Sequence, residues 1–168
     1  MKEYAFSNKG FGAMLRNFEK MEKKLPIVRE KFIVRSLDYL EEQARKYIQE
    51  TTGGSSWYVL THTLENSFKK DAIIGKIVND CWYSAFVEYG TGTKGEGTHE
   101  NPQNYQYDLN EHGDSGWWFK DDNGNLHWTK GMKAHRYMYQ AVMDYLSPSG
   151  HKRIFKQVFD EEIGVIFK

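Results

Sequence analysis

CWYSAFVEYGTG, residues 81–92, begins as an apolar segment suited to a core and ends in alternating glycine and threonine. One carboxylate, Glu88, stands beside Tyr89 at the junction. Ala85, Phe86 and Tyr89 share a face at helical spacing, so the sequence predicts a short helix there and a turn at Gly90 and Thr91. Three roles are open to Glu88: catalysis, metal ligation, or holding the turn. The one cysteine, Cys81, has no histidine beside it, so a packing role is expected. A lone cysteine allows no intramolecular disulfide, and folding inside a cell is the expectation.

On the N-terminal side of this stretch, residues 11–50 read as helix. Leu15, Phe18 and Leu25 lie roughly on one face, and Ile33, Leu37, Leu40, Ala44 and Ile48 continue at spacings of three and four. Pro26 interrupts the run, and either kinks one helix or opens a second. Charges such as Glu22, Lys23, Arg29 and Glu42 form a solvated face. The helix is expected to end at TTGGSS, where a glycine can take the left-handed cap. No Lys-Ser/Thr pair follows and no strand precedes, which argues against a phosphate cradle. Residues 67–71 and 73–80 read as two short strands, with Gly75 at a bulge or a close backbone approach.

On the C-terminal side, residues 90–116 are glycine-rich with almost no aliphatic side chain, far beyond the usual loop of ~4–6 residues. GWWFKDDNGNLHWTKG then predicts a hairpin. Asn123-Gly124 sits at the turn, residues 117–120 and 126–129 are the strands, and Trp117, Phe119 and Trp128 are placed for cross-strand stacking. Tyr137, Ala141 and Tyr145 form one helical stripe, closed by SPSG, and Ile154, Phe155, Val158, Phe159 and Ile163 mark a final amphipathic helix. No internal repeat and no heptad run is read. The order predicts a single α+β domain over residues 1–168: a small antiparallel sheet packed against a long N-terminal helix and C-terminal helices.

Composition narrows function. The 168 residues carry 23 basic and 23 acidic side chains, so the electrostatic case for nucleic acid or an anionic membrane is missing, and low self-repulsion suits a protein that assembles. Aromatics make up 15% of the chain, a payload for cores and subunit interfaces. No apolar run reaches the ~20 residues of a membrane span, and MKEYAFSNKGFG lacks the apolar stretch of a signal peptide.

Catalytic patterns are also missing. None of the six histidines falls in HExxH, and no cysteine pair accompanies them, so no zinc site is expected. His99-Glu100 and Glu111-His112 with Asp114 read as polar loop composition. Asp121-Asp122 and the Asp108, Glu111, Asp114 group do not set two carboxylates across a defined cleft. There is no GxSxG. Catalytic, metal and cofactor sites are all expected to be absent.

Three segments in order carry a family resemblance. TTGGSSWYVLTHTLENSF resembles a Thr-Gly segment followed by Leu-x-x-Ser entering a strand. YSAFVEYGTG resembles Tyr-Ala-x-x-Val-Glu-x-Gly-Thr, and GMKAHRYMYQAV resembles Gly-x-x-Ala-x-Pro-Phe-Leu-x-x-Ala at a helix start. Together they resemble the tailed-phage neck or tail-completion family, the HK97-type minor tail morphogenesis proteins. This chain departs at Ser84, which stands for alanine, at Arg136-Tyr137, which stand for Pro-Phe, and in THTLENS, which lacks the family's nearby arginine.

The resemblance implies a long helix on a small sheet and a structural, non-enzymatic role in the connector between a DNA-filled head and its tail. The expected partners are further copies of this chain in a ring, connector or head-completion proteins, and tail tube or tail terminator proteins. The expected location is the virion neck or tail, with host cytoplasm during assembly; neither a membrane nor sequence-specific nucleic acid is expected as a partner. Glu88, Tyr89, Gly90 and Thr91 would form a structural turn, with Glu88 accepting its N–H groups or pairing with a base of the next subunit. Aromatic excess and loop length nominate Tyr105, Tyr107, Trp117, Trp118, Phe119 and Trp128 for the subunit interface. The alternative is a carbohydrate-binding or cell-wall-degrading tail component using the tryptophans with Glu111 and Asp114. A single-strand nucleic-acid binder is a third reading, opposed by the neutral charge.

Overall fold

A computed structural model describes residues 8–51, 62–95, 116–120 and 123–167. The first element is one helix, α1, Asn8–Thr51, 44 residues long and so about 66 Å from end to end. It passes through Pro26 without a break, which removes the option of a second helix starting there. Proline has no N–H to give the carbonyl of residue 22, so this turn lacks one bond of the helical ladder. The lost bond is tolerated because the helix is packed beside it, with Val28, two residues on, buried against Val158 and Ile163.

After α1 come a single turn, α2 (Thr63–Asn66), and a hairpin of β1 (Phe68–Asp71) and β2 (Lys76–Asn79). The hairpin is antiparallel, with Phe68 opposite Asn79 and Asp71 opposite Lys76. The second strand is shorter than the sequence suggests. Ile73 and Ile74 lie in the turn, 87% and 68% exposed. Asp71 Oδ1 accepts the N–H groups of Ile73 at 2.9 Å and Ile74 at 3.3 Å, and Gly75 adopts φ 66°. This local side-chain turn overrides the β preference of two isoleucines.

Helix α3 (Ser84–Tyr89) and the single turn α4 (Gly92–Gly95) follow. A second hairpin pairs β3 (Trp117–Lys120) with β4 (Leu126–Thr129). Its register sets Trp118, not Trp117 or Phe119, opposite Trp128. The two hairpins stand as separate two-stranded sheets rather than one. The chain closes with α5 (Tyr137–Leu146) and α6 (His151–Glu162), and the architecture is α+β.

Helices α5 and α6 lie along α1 and define two cores. Ala44 and Ile48 of α1 join Leu64, Cys81, Val87, Tyr137 and Ala141 in the larger one. Further toward the N-terminus of α1, Val28 packs with Val158 and Ile163, with Met21 and Phe159 against them. Phe32 meets Phe155 edge to face at 5.6 Å. Charges fasten the same surfaces. Lys24 and Lys31 both reach Glu162, the former at 2.8 Å, and Arg35 grips Glu161 through two bonds of 2.9 and 2.7 Å. Lys70 of β1 bonds to Asp38 at 2.6 Å and to Glu41 at 2.7 Å, which holds the first hairpin to α1. Cys81 is a buried packing residue.

Candidate functional site

Helix α3 ends because Gly90 turns to φ 79°, while its N–H still bonds to Phe86 O at 2.8 Å. A side chain there would collide: a Cβ would lie 2.6 Å from Met132 O and 2.7 Å from Ala134 N. Glycine thus lets this chain segment press against residues 132–134. Thr91 then exchanges bonds with Met132, its N–H giving to Met132 O at 2.8 Å and its O accepting from Met132 N at 3.1 Å. Thr91 Oγ1 takes a share of the same Met132 N–H at 3.1 Å. One step earlier, His135 N bonds to Val87 O at 2.9 Å and Arg136 N to Glu88 O at 3.1 Å. The Val-Glu-x-Gly-Thr segment is therefore zipped along the Gly-Met-Lys-Ala-His-Arg segment that leads into α5.

Glu88 completes the clasp. It is 8% exposed, and its Oε2 accepts from Met138 N at 2.8 Å while Oε1 accepts from Tyr139 N at 3.0 Å. These are N–H groups of the first turn of α5, which have no partner inside the helix. The residue in the capping position, Arg136, supplies no side-chain cap and sits in the left-handed region at φ 55°. Glu88 is a helix cap delivered from another element, and its negative charge meets the positive end of the helix dipole. The turn amides have other acceptors, Phe86 O for Gly90 and Met132 O for Thr91. Glu88 thus supports the turn indirectly, by fixing the helix that the turn is zipped to.

The surroundings are dry. Tyr137 is 1% exposed, and burial first, then the nearby Glu88, raises its phenol well above the usual range. Burial lowers His135 below the ordinary imidazole value, which keeps it neutral at physiological pH. The Arg136 guanidinium lies over the Tyr139 ring at 3.7 Å, outside this dry zone. With both oxygens on backbone donors, Glu88 is placed to hold geometry rather than to move protons.

The aromatic hairpin divides by strand alternation. Trp117 and Phe119 are half-buried, and Phe119 stacks on His127 at 5.4 Å. Trp118 and Trp128 point the other way, 62% and 48% exposed, with ring centroids 5.4 Å apart. Leu126 is exposed beside them. Tyr105, Tyr107, Asp108, Glu111, Asp114 and the His99 and His112 neighbourhoods lie outside the described residues, as do TTGGSS apart from its first residue and Asp121-Asp122.

Sequence reasoning passed over Trp82, which is 82% exposed and meets Tyr83 and Phe86 edge to face. The four-residue spacing of Trp82 and Phe86 was the available signal. It also passed over Glu65, which is buried with Oε2 3.1 Å from His62 Nδ1 and Oε1 without a hydrogen-bond partner among the described residues. Among the described residues no group of three His, Cys, Asp or Glu side chains could hold a metal ion, and no helix is long and apolar enough to cross a membrane. Comparison with family models, curated proteins and solved structures finds no match.

Proposed function

We propose that this chain is a structural subunit of a ring at the head–tail junction or tail terminus of a tailed phage, prophage or phage-tail-like particle. One observation carries the reading. Two of the three segments that resemble the neck and tail-completion family, residues 83–92 and 131–142, are distant in sequence and form one clasp through Glu88. Their chemistry is spent on holding elements together, which suits a part whose product is shape. The exposed Trp118–Trp128 pair supports it further, as aromatic anchors of this kind dominate subunit contacts. A ring repeats a head-to-tail contact, so each subunit needs two different patches, and the aromatic hairpin is one.

The test is genetic and visual. Particles assembled without the gene, imaged by negative stain, should show headless tails or unjoined heads, and purified protein should form rings at high concentration. Normal particles from the deletion, or protein that stays monomeric and never joins tails or connectors, would refute the proposal. The same tryptophan pair favours a second reading, carbohydrate binding by a tail component, since exposed indole faces also stack sugars. Glycan pull-down separates the two.

A further inference from the structure

The second hairpin turns to solvent a face that combines aromatic rings with lysines. Alternation along β3 and β4 sets Trp118, Lys120, Leu126 and Trp128 outward, with Trp118 opposite Trp128 and Lys120 opposite Leu126. Lys130 stands exposed two residues beyond Trp128, about 14 Å along the hairpin from the end that carries Lys120. Lys94 joins it, because Lys130 O accepts from Lys94 N at 3.4 Å and from Thr93 Oγ1 at 3.3 Å. Lys133 and Arg136 continue the series toward α5. Across residues 83–95, 116–120 and 123–136 the one acid is Glu88, which is buried and spent on the amides of α5. Among the described residues Lys94, Lys120, Lys130 and Lys133 make no ion pair; the ion pairs lie on α1, α2, α6 and the first hairpin. The zero sum of the whole chain conceals this charge, because residues 96–115 hold Glu96, Glu100, Asp108, Glu111 and Asp114 and no lysine or arginine.

We infer that this face binds single-stranded DNA without regard to sequence, with nucleobases stacked on Trp118 and Trp128 and phosphates held by Lys120, Lys130 and Lys94. The chemistry of the face selects the ligand. Indoles ask for flat rings and lysines for anions, and a single strand presents both along one chain. The two indoles meet at 63° and not face to face, so neither uses up the other's stacking surface. A duplex keeps its nucleobases in the stack and offers its phosphates alone. An acidic peptide supplies the charge without the rings. Deoxyribose is favoured over ribose because the outward residues between the lysines are Trp118, Leu126 and Trp128, with no side-chain hydroxyl or amide to answer a 2′-OH. The neutral total that opposes such a partner in the sequence weighs less than the local charge, since salt confines each charge to a Debye length of about 8–10 Å. The inference goes beyond the ring proposal. It concerns the free subunit, in which no neighbouring copy occupies the hairpin.

The test uses the full chain at concentrations where sedimentation shows it unassembled. The probe is a fluorescently labelled oligo(dT) of about twelve nucleotides, read by anisotropy from about 50 to 300 mM salt. Binding should weaken with salt at a logarithmic slope of about −2, roughly 0.7 for each of three phosphates. Lys120→Gln with Lys130→Gln should shrink that slope by about 1.4. Trp118→Ser with Trp128→Ser should weaken binding at least tenfold and leave the slope unchanged, with the circular dichroism of both variants that of the parent. Oligo(U) and a DNA duplex of the same length should bind more weakly at the high-salt end. No binding at the lowest salt, a slope that the lysine variants do not move, an affinity that the tryptophan variants do not move, or equal or tighter binding of oligo(U) or the duplex would each overturn the inference. Equal competition, charge for charge, by polyglutamate or polygalacturonate would do the same. Binding that emerges only when the acids of residues 96–115 are exchanged for their amides would give the face to the chain's own segment instead. Binding by a chain that never forms rings upholds this inference and refutes the ring; rings without binding do the reverse.

Discussion

Glu88 shows how a single carboxylate can organise two distant segments. Replacing it with alanine takes the acceptor from the part-buried Met138 and Tyr139 amides at a helix end, which costs up to about 1–3 kcal/mol for each group that water does not reach. Glu88→Ala is expected to lower stability by about 2–4 kcal/mol, seen as a lower urea midpoint with an unchanged slope. Glu88→Gln keeps one acceptor oxygen and loses the charge at the dipole, so a smaller loss of about 1–2 kcal/mol is expected. Equal losses for the two variants, or a loss below ~0.5 kcal/mol for alanine, would remove the cap from this account. The glycines on the other wall of the clasp give a paired test. Gly131 holds φ 100° with an added Cβ 1.9 Å from Thr91 O, whereas Gly124 holds φ 83° with nothing among the described residues within 4 Å. Gly124→Ala should cost only the left-handed backbone term, ~1–2 kcal/mol. Gly131→Ala must also part Thr91 from its bridge to Met132 and should unfold at least ~2 kcal/mol more easily than Gly124→Ala in the same urea titration.

At the scale of elements, charge decides how α6 sits on α1. Bonds from Lys24 and Lys31 hold the Glu162 carboxyl down to about 2 from the ordinary 4.5, and the Arg35 bond lowers Glu161. A depressed carboxyl binds its proton less readily folded than unfolded, so its stabilisation is complete above pH 4.5 and is lost as pH falls toward 2. Thermal midpoints measured from pH 5 to pH 2 should fall, and Glu162→Gln should flatten that fall while leaving the curve above pH 5 parallel. An acid limb as steep in the variant as in the parent would show that the pair is not what acid breaks. The helices of this region were legible in the sequence, because Leu37, Ala44 and Ile48, and again Ile154 and Val158, follow helical spacing where burial selects it, whereas Leu15, Phe18 and Leu25 follow it and stay exposed. The strands were less so. Ile73 and Ile74 read as β residues, yet Asp71 captures their amides into a turn, a two-residue effect invisible to periodicity. The cross-strand partner of Trp128 was missed by one residue although the strand bounds were read correctly, because pairing 117–120 with 126–129 end to end sets Trp118, and neither Trp117 nor Phe119, opposite Trp128. Glu88 stood out in the sequence, but its true partners lie 50 and 51 residues away, and no local pattern reports such a distance.

At the scale of the whole molecule, the clasp and the two cores leave a body whose apolar remainder is gathered outside, on the first turns of α1, on the Ile73–Ile74 turn, at Trp82 and on the face of the second hairpin. The sequence left α1 open at Pro26 between a kinked helix and a second one, and the structure runs one helix through it. The hairpin face gives the sharpest test of the ring. Trp118 and Trp128 are largely exposed and meet each other, so Trp118→Ser with Trp128→Ser should cost the fold their mutual contact, about 0.5–1.5 kcal/mol, and the area each still buries. Should the pair anchor a neighbouring subunit, the same change removes a centre of binding energy, and anchors of this type carry about 2 kcal/mol or more each. Two such losses per interface, repeated around a closed ring, abolish it. The double variant is therefore expected to fold and melt nearly as the parent does while failing to form rings and failing to complement a deletion in particle assembly. Rings of normal size from that variant would mean that this face meets something other than a neighbouring copy, and retention of the parent protein on a glycan resin, lost in the variant, would identify that something as carbohydrate.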